Sequence, residues 1–161
     1  LSYWSSWSNG FNIWKSEFDK IDKNLKLNKL FPHTSLFLTQ HQAKLFCIND
    51  NLLFDVQRIP KRGGHNKFEA FTIEYPSLLD ECCKKGHIST KCKKHILFGI
   101  MVQFLPSLLF NKYIIRIETF DDTGFRNNLK KYYPSYAYWL VLISVLGVPF
   151  RLFCRKLKNK R

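Results

Sequence analysis

The sequence predicts an α+β membrane protein with three parts: an N-terminal amphipathic helix, a small antiparallel β domain of four or five strands, and a C-terminal transmembrane helix. Three observations lead to this fold class. A long uncharged run precedes a basic tail, aromatic side chains recur at helical spacing near the start, and short central segments alternate between apolar and polar residues. We place the boundaries at 1–30 for the helix, 31–131 for the β-rich domain, 132–153 for the transmembrane helix and 154–161 for the basic tail.

The uncharged run covers residues 132–150 and has the length of a membrane span. As a helix its 19 residues reach ~28 Å, close to the ~30 Å hydrocarbon core of a bilayer. Tyr136, Tyr138 and Trp139 lie at its start, and aromatic residues are typical of the membrane interface. Arg155 and Lys156 follow it, and we expect them to contact anionic lipid or an acidic partner.

Residues 96–110 form a second uncharged segment, and it is short for a span. It is either a buried helix or pair of strands in the domain core, or a short or re-entrant membrane segment. If it crosses the membrane, the chain forms a hairpin, and the lysines before it lie on the same side as the basic tail. A single span is the favoured interpretation; the alternatives are the hairpin and a chain without any span, in which residues 136–150 form a core helix in a complex.

The first thirty residues carry an aromatic stripe at spacings of three and four, which indicates one face of a helix. Trp4, Trp7 and Trp14 belong to it and are candidates for the membrane interface. Gly10 weakens the helix by roughly 1 kcal/mol relative to alanine. Packing on the β domain, insertion in the interface and pairing with a partner helix are all open for this stripe.

The β domain is predicted from short apolar or alternating segments that lie between turn-forming residues. Residues 44–59 are typical of a hairpin because Asn and Asp separate two apolar runs. Further strands are expected at 35–41, 67–75 and 113–120. We find no internal repeat in the sequence.

The net charge of the chain limits the classes of partner that we expect it to bind. The chain has 26 basic and 12 acidic residues, a net charge of +14, which suits an anionic partner. Two basic loops are the candidate contacts for anionic lipid or an acidic protein, and their residues are Lys61, Arg62, Lys84, Lys85, Lys91, Lys93 and Lys94. Nucleic acid is an unlikely partner, because the aromatic residues lie on regular apolar faces and in the predicted span.

Cysteine and histidine residues are concentrated in the second basic loop. The candidate metal ligands are Cys83, His87, Cys92 and His95. Their spacing matches no zinc motif, and lysines surround them, so we expect no metal and no cofactor. Of the five cysteines, Cys154 lies in the basic tail, and the other four either form two disulfides or stay reduced.

No catalytic motif occurs in the sequence, and we expect no enzymatic activity. The leading expectation is an accessory subunit of a larger membrane protein complex, with a structural or assembly role and other membrane subunits as partners. The alternatives are a tethered domain that recognises anionic lipid head groups and a redox or metal-binding role of the Cys/His loop. The expected location is an integral membrane position, in the secretory route or the mitochondrial inner membrane, and a hetero-oligomer is favoured over a monomer.

Overall fold

The computed structural model describes residues 13–23, 25–38, 66–119 and 121–158, with side chains described as far as residue 154. These ranges are predominantly helical and contain no β-strand. Their helices, in chain order, are α1 (Lys15–Phe18), α2 (Pro32–Leu38), α3 (67–84), α4 (Thr90–Ile114), α5 (Phe125–Tyr132), α6 (Ala137–Leu146) and α7 (Val148–Lys158).

The predicted antiparallel β domain is therefore wrong. Residues 67–75 lie in α3, and residues 35–38 of another predicted strand lie in α2. Residues 113 and 114 of the predicted strand 113–120 are the last residues of α4, and residues 115–119 form no strand. The predicted hairpin at 44–59 lies outside the described part of the chain.

The core-facing positions of α3 explain this error. Phe68, Thr72, Tyr75 and Leu79 are each 0–1% exposed, and their spacings of four, three and four are helical. Thr72 is polar, but its hydroxyl donates to the Phe68 carbonyl at 2.6 Å and so is satisfied inside the core. A polar residue at a core position made the helical period resemble a strand alternation.

The predicted N-terminal helix is only partly covered, because residues 1–12, with Trp4 and Trp7, lie outside the described part. Within the described residues α1 is a single turn that ends at Phe18. Trp14, which precedes α1, is 80% exposed. The described residues after α1 do not resume a helix before Pro32.

The central element is a hairpin of α3 and α4. Lys67 at the start of α3 pairs with Glu118, just beyond α4, at 3.0 Å, and Lys93 near the start of α4 pairs with Asp80. The two helices are therefore antiparallel. α5 packs on the first half of α3, where the Phe125 ring lies 4.9 Å from that of Phe68. The core between these helices includes Tyr75, Leu79, Ile100, Leu105, Leu129 and Val141.

α3 and α4 share a short sequence repeat, although we expected no internal repeat in the sequence. Besides a π-helical turn at the end of α4, Phe110–Ile114, each helix contains one in its interior, Ala70–Glu74 in α3 and Ile100–Phe104 in α4. One residue later both continue with Pro-Ser-Leu-Leu, at 76–79 and 106–109. A proline inside an α-helix collides with the carbonyl four residues earlier, and the wider π turn accommodates it. The helices consequently continue through their prolines.

Beside each of these two interior π turns a backbone carbonyl lacks its usual α-helical donor, and a side chain from the C-terminal part of the chain donates to it. The Tyr75 N–H donates to Ala70, five residues back, so it no longer serves the Phe71 carbonyl. The Tyr133 hydroxyl donates to that carbonyl at 2.8 Å. In α4 the Val102 carbonyl would need an N–H at residue 106, which is proline, and the Arg151 guanidinium donates to it instead.

α6 packs against the middle of α4 and α7 bends away. Arg151 also reaches the Ser144 carbonyl at 3.3 Å, which places the end of α6 beside Val102, while α6 also contacts Leu105–Leu109. α6 therefore runs antiparallel to α4. α7 continues after Gly147 with a bend of 50°. The segment expected at 96–110 lies wholly inside α4, so of its alternatives the strands are excluded.

Candidate membrane-facing surface and basic turn

The outward surface of α6 and α7 exposes a set of large apolar side chains, which we call the apolar ridge. Its members are Tyr136, Trp139, Leu142, Ile143, Leu146, Phe150, Leu152 and Phe153. The most exposed are Ile143 at 64%, Leu146 at 81% and Phe150 at 69%. These three are spaced by three and four residues, so they line one side of the two helices across the bend. Exposed apolar patches of this kind mark binding or membrane surfaces.

The ridge follows from the composition of α6. Every residue of α6 except Ser144 is apolar. Ala137 and Val141 face α4 and are each 0% exposed, so the core uses only one side of the helix. A helix that is apolar all round is found in a large protein core or in a membrane. The outer side of α6 is therefore suited to a non-aqueous neighbour.

α4 is long and apolar enough to cross a membrane. It has 25 residues, or ~38 Å of helix, and a mean hydropathy of 1.3 over its most apolar stretch. That stretch is 44% buried inside the structure, and the core helix of a soluble protein can meet the same criterion. Residues 137–154, in α6 and α7, also meet it if they are taken together as one broken span.

The predicted interface aromatics separate into two groups. Tyr136 and Trp139 are both 59% exposed at the start of the ridge. Tyr138 instead turns inward: its ring lies 6.2 Å from that of Phe125, with the Arg126 guanidinium 5.3 Å from its centre. Tyr136 and Trp139 are thus available to a membrane interface, and Tyr138 joins helices α5 and α6.

Residues 84–95 run from the end of α3 through the connection to the first turns of α4, and we call them the basic turn. Gly86 has φ +73°, a left-handed conformation that favours glycine. The His87 N–H donates to the Cys82 carbonyl at 2.9 Å and the Gly86 N–H to that of Cys83 at 3.0 Å, which is a Schellman motif. The Ser89 hydroxyl caps α4 by accepting from the Cys92 N–H at 3.1 Å. The backbone of this turn is fixed at both ends.

The lysines of the basic turn differ in their partners. Lys85 pairs with Glu81 at 2.6 Å, and this hydrogen bond raises the pKa of Lys85. Lys93 pairs with Asp80. The remaining three are Lys84, Lys91 and Lys94, which are exposed and make no ion pair with any described residue. The turn therefore presents three uncompensated positive charges.

The described cysteines are all free thiols. Cys82 is buried, and burial raises its pKa to about 11, so it is a poor nucleophile at neutral pH. Within the described ranges no three His, Cys, Asp or Glu side chains come close enough to hold a metal ion. The structure thus does not bring together the candidate ligands Cys83, His87, Cys92 and His95.

Several predicted contact residues have no described side chain. Lys61 and Arg62 lie outside the described part of the chain. Arg155 and Lys156 lie in the last part of α7, where only the backbone is described. Conversely, sequence reasoning did not single out Tyr133 or Arg151. Their signal was the two Pro-Ser-Leu-Leu segments at 76–79 and 106–109, because a proline inside a helix leaves a carbonyl that requires another donor.

Comparison with protein family models, with curated proteins and with solved structures gives no match. No relative therefore supplies an activity or a partner. A proposal for the function of this protein rests on the physical chemistry of the apolar ridge and of the basic turn.

Proposed function

We propose that this protein is a non-enzymatic, membrane-embedded subunit that packs against other membrane proteins through its apolar ridge. The observation that carries the proposal is the outward face of α6 and α7, which exposes eight large apolar side chains. The opposite face of α6 already forms the core, so rotating the helix cannot hide the ridge. α4, which lies against α6, has the length and composition of a span.

The energetic argument favours a non-aqueous neighbour. Full burial of one Leu, Ile or Phe side chain is worth about 1.5–3 kcal/mol. Ile143, Leu146 and Phe150 are 64–81% exposed, so these three alone favour transfer out of water by roughly 3–6 kcal/mol. This is a large part of the stability of a small domain. Lipid or a partner subunit would supply the missing contacts.

Gly147 supports a protein neighbour in addition to lipid. It is exposed in the middle of the ridge, between Leu146 and Phe150. Small residues allow the backbones of membrane helices to approach closely, and such approach drives helix association where lipid removes the hydrophobic driving force. A partner helix can therefore reach the ridge at Gly147.

The test compares two pairs of substitutions in the full chain expressed in its native cells. Ile143→Gln with Leu146→Gln alters the ridge, and Ile114→Gln with Ile117→Gln is the matched control, since these residues are also exposed but lie at and beyond the end of α4, outside the ridge. We expect the unmodified chain to resist alkaline carbonate extraction and to migrate in mild detergent as part of a larger complex. The ridge variant should lose the larger complex while the control keeps it.

Two results would contradict the proposal. Release of the unmodified chain by carbonate would remove it from the membrane interior. A stable, monodisperse monomer of the unmodified chain in detergent extracts would show that the ridge requires no partner.

A further inference from the structure

We infer that the basic turn is a binding site for the phosphate groups of anionic phospholipids at the membrane surface. The inference rests on the proposed membrane location and adds to it a ligand class. It is carried by the position of the lysines along α4, by their lack of acidic partners and by the rigidity of the turn.

The position follows from helix geometry. Val102 is the midpoint of α4 (Thr90–Ile114). With Val102 at the centre of a bilayer, Lys91 lies ~16 Å and Lys94 ~12 Å from the midplane at 1.5 Å per residue. The hydrocarbon core ends ~15 Å from its midplane. Both ammonium groups are thus at the level of the lipid phosphates, where lysine side chains extend toward water.

Phe98 lies on the same side of α4 as Lys91 and Lys94, at spacings of seven and four residues. It is 53% exposed and ~6 Å nearer the midplane than Lys94. A charged residue at phosphate depth with an exposed aromatic one turn deeper is the pattern of a helix that enters a lipid monolayer. An acidic soluble protein would give Phe98 no comparable environment.

The charge of the turn suits an anionic surface. Lys84, Lys91 and Lys94 have no acidic partner among the described residues, whereas Lys85 and Lys93 are paired with acids of α3. The two acids nearest to the turn, Asp80 and Glu81, are the ones in these pairs, and the sequence contains no further Asp or Glu from residue 82 to residue 117. Lys91 and Lys94 also lie in the first turns of α4, where the helix dipole favours an anion.

The turn is held in place before any ligand binds. The Schellman motif at Gly86, the Ser89 cap and the Lys93–Asp80 pair fix its backbone and its contact with α3. A site that is already ordered loses little conformational entropy on binding. This distinguishes the basic turn from a flexible basic tail.

The experiment uses the full chain in neutral detergent micelles that contain dansyl-labelled phosphatidylserine. Energy transfer from the four tryptophans reports binding. Dansyl-labelled phosphatidylcholine is the reference for head-group charge, and inorganic phosphate is the competitor that separates a lipid from a free anion. Two double variants remove the same net charge: Lys91→Gln with Lys94→Gln, and Lys85→Gln with Lys93→Gln.

We expect the unmodified chain to prefer phosphatidylserine, and the Lys91/Lys94 variant to lose about 30-fold in affinity for it, about fivefold for each lysine. The Lys85/Lys93 variant should lose less than about threefold, because those lysines are already paired. Millimolar phosphate should not displace the lipid, whose acyl chains remain in the micelle. Equal losses in the two variants would show that only net charge matters and would overturn the site.

Other outcomes also contradict the inference. Equal binding of both lipids excludes head-group recognition, and complete displacement by inorganic phosphate assigns the turn to a free anion. Binding of an acidic peptide or of RNA in preference to phosphatidylserine assigns it to another class of partner. Failure here is distinguishable from failure of the proposed function, because carbonate extraction measures insertion and the lipid preference measures recognition.

Discussion

Replacing Tyr133 by phenylalanine removes a single oxygen atom, and we expect it to destabilise the folded protein by about 1–3 kcal/mol. The Tyr133 hydroxyl donates to the Phe71 carbonyl at 2.8 Å, and the π turn has diverted the N–H that an α-helix would supply to this carbonyl. Tyr133 is 6% exposed, so water cannot easily replace the lost donor. The substitution leaves a buried carbonyl without that bond.

The assay is thermal unfolding of the full chain in mild detergent, followed by far-ultraviolet circular dichroism. For a chain of 161 residues the expected loss corresponds to a decrease of roughly 3–10 °C in Tm. Tyr132→Phe is the matched control: Tyr132 is the preceding residue and is half-buried, and its hydroxyl makes no hydrogen bond to a described residue. It should change Tm by less than about 2 °C.

A double-mutant cycle tests the cause. Pro76→Ala restores an N–H that can reach the Phe71 carbonyl as the next π bond, or lets α3 relax so that Tyr75 serves it. In that background Tyr133→Phe should cost less, with a coupling of at least about 1 kcal/mol. Additive effects of the two substitutions would refute the reasoning, because they would show that the Tyr133 hydroxyl does not compensate for the π turn.

Three further predictions concern other parts of the structure. Gly86→Ala should lower the free energy of unfolding by about 1–2 kcal/mol because Gly86 has a positive φ, whereas Gly99→Ala in α4 should raise it by about 0.5–1 kcal/mol. An added Cβ meets no atom within 4 Å at either position, so the difference comes from the backbone. Denaturant unfolding that gave both changes the same sign would contradict this argument. Burial raises the pKa of the Cys82 thiol from its ordinary value of 9.0 to about 11, so its contribution to stability is complete below pH 9.0 and is lost as the pH rises from 9.0 to about 11. Cys82→Ala should therefore show a shallower decline of Tm across this range in a pH series of melting curves. Arg151→Gln should lower Tm by several degrees. Arg151→Lys should lower it by nearly as much, because a lysine cannot reach the Val102 and Ser144 carbonyls together. A lysine variant with the Tm of the unmodified chain would indicate that charge alone matters.

Part of this structure could be predicted from composition and hydropathy. The uncharged run at 96–110 lies in α4, and the run at 132–150 covers α6 and the start of α7. Such runs can be recognised in a sequence because burying a charged side chain is costly. The β domain could not be excluded in the same way, because over nine residues the pattern of 67–75 fits either period. Thr72 was decisive there, since its internal hydrogen bond places a polar residue in the core.

The repeat in α3 and α4 was missed because proline is normally a signal that a helix ends. Pro76 and Pro106 instead follow π turns, which provide the space that an α-helix lacks. The candidate site was predictable to a similar extent. The lysines of the basic turn are evident in the sequence, but which of them are neutralised depends on Asp80 and Glu81, and only the packing of α3 against α4 determines that.

The Val102 carbonyl, which the proline at residue 106 leaves without a backbone donor, bears on the proposed membrane environment. In hydrocarbon no water is available, so every backbone polar group must be satisfied within the protein. Val102 is at the middle of α4, and a charged guanidinium from the bend between α6 and α7 binds its carbonyl. Arginines inside membranes characteristically pair with backbone carbonyls. The chain thus supplies its own donor to Val102 while its apolar ridge stays exposed, and both arrangements agree with the proposed location in a bilayer.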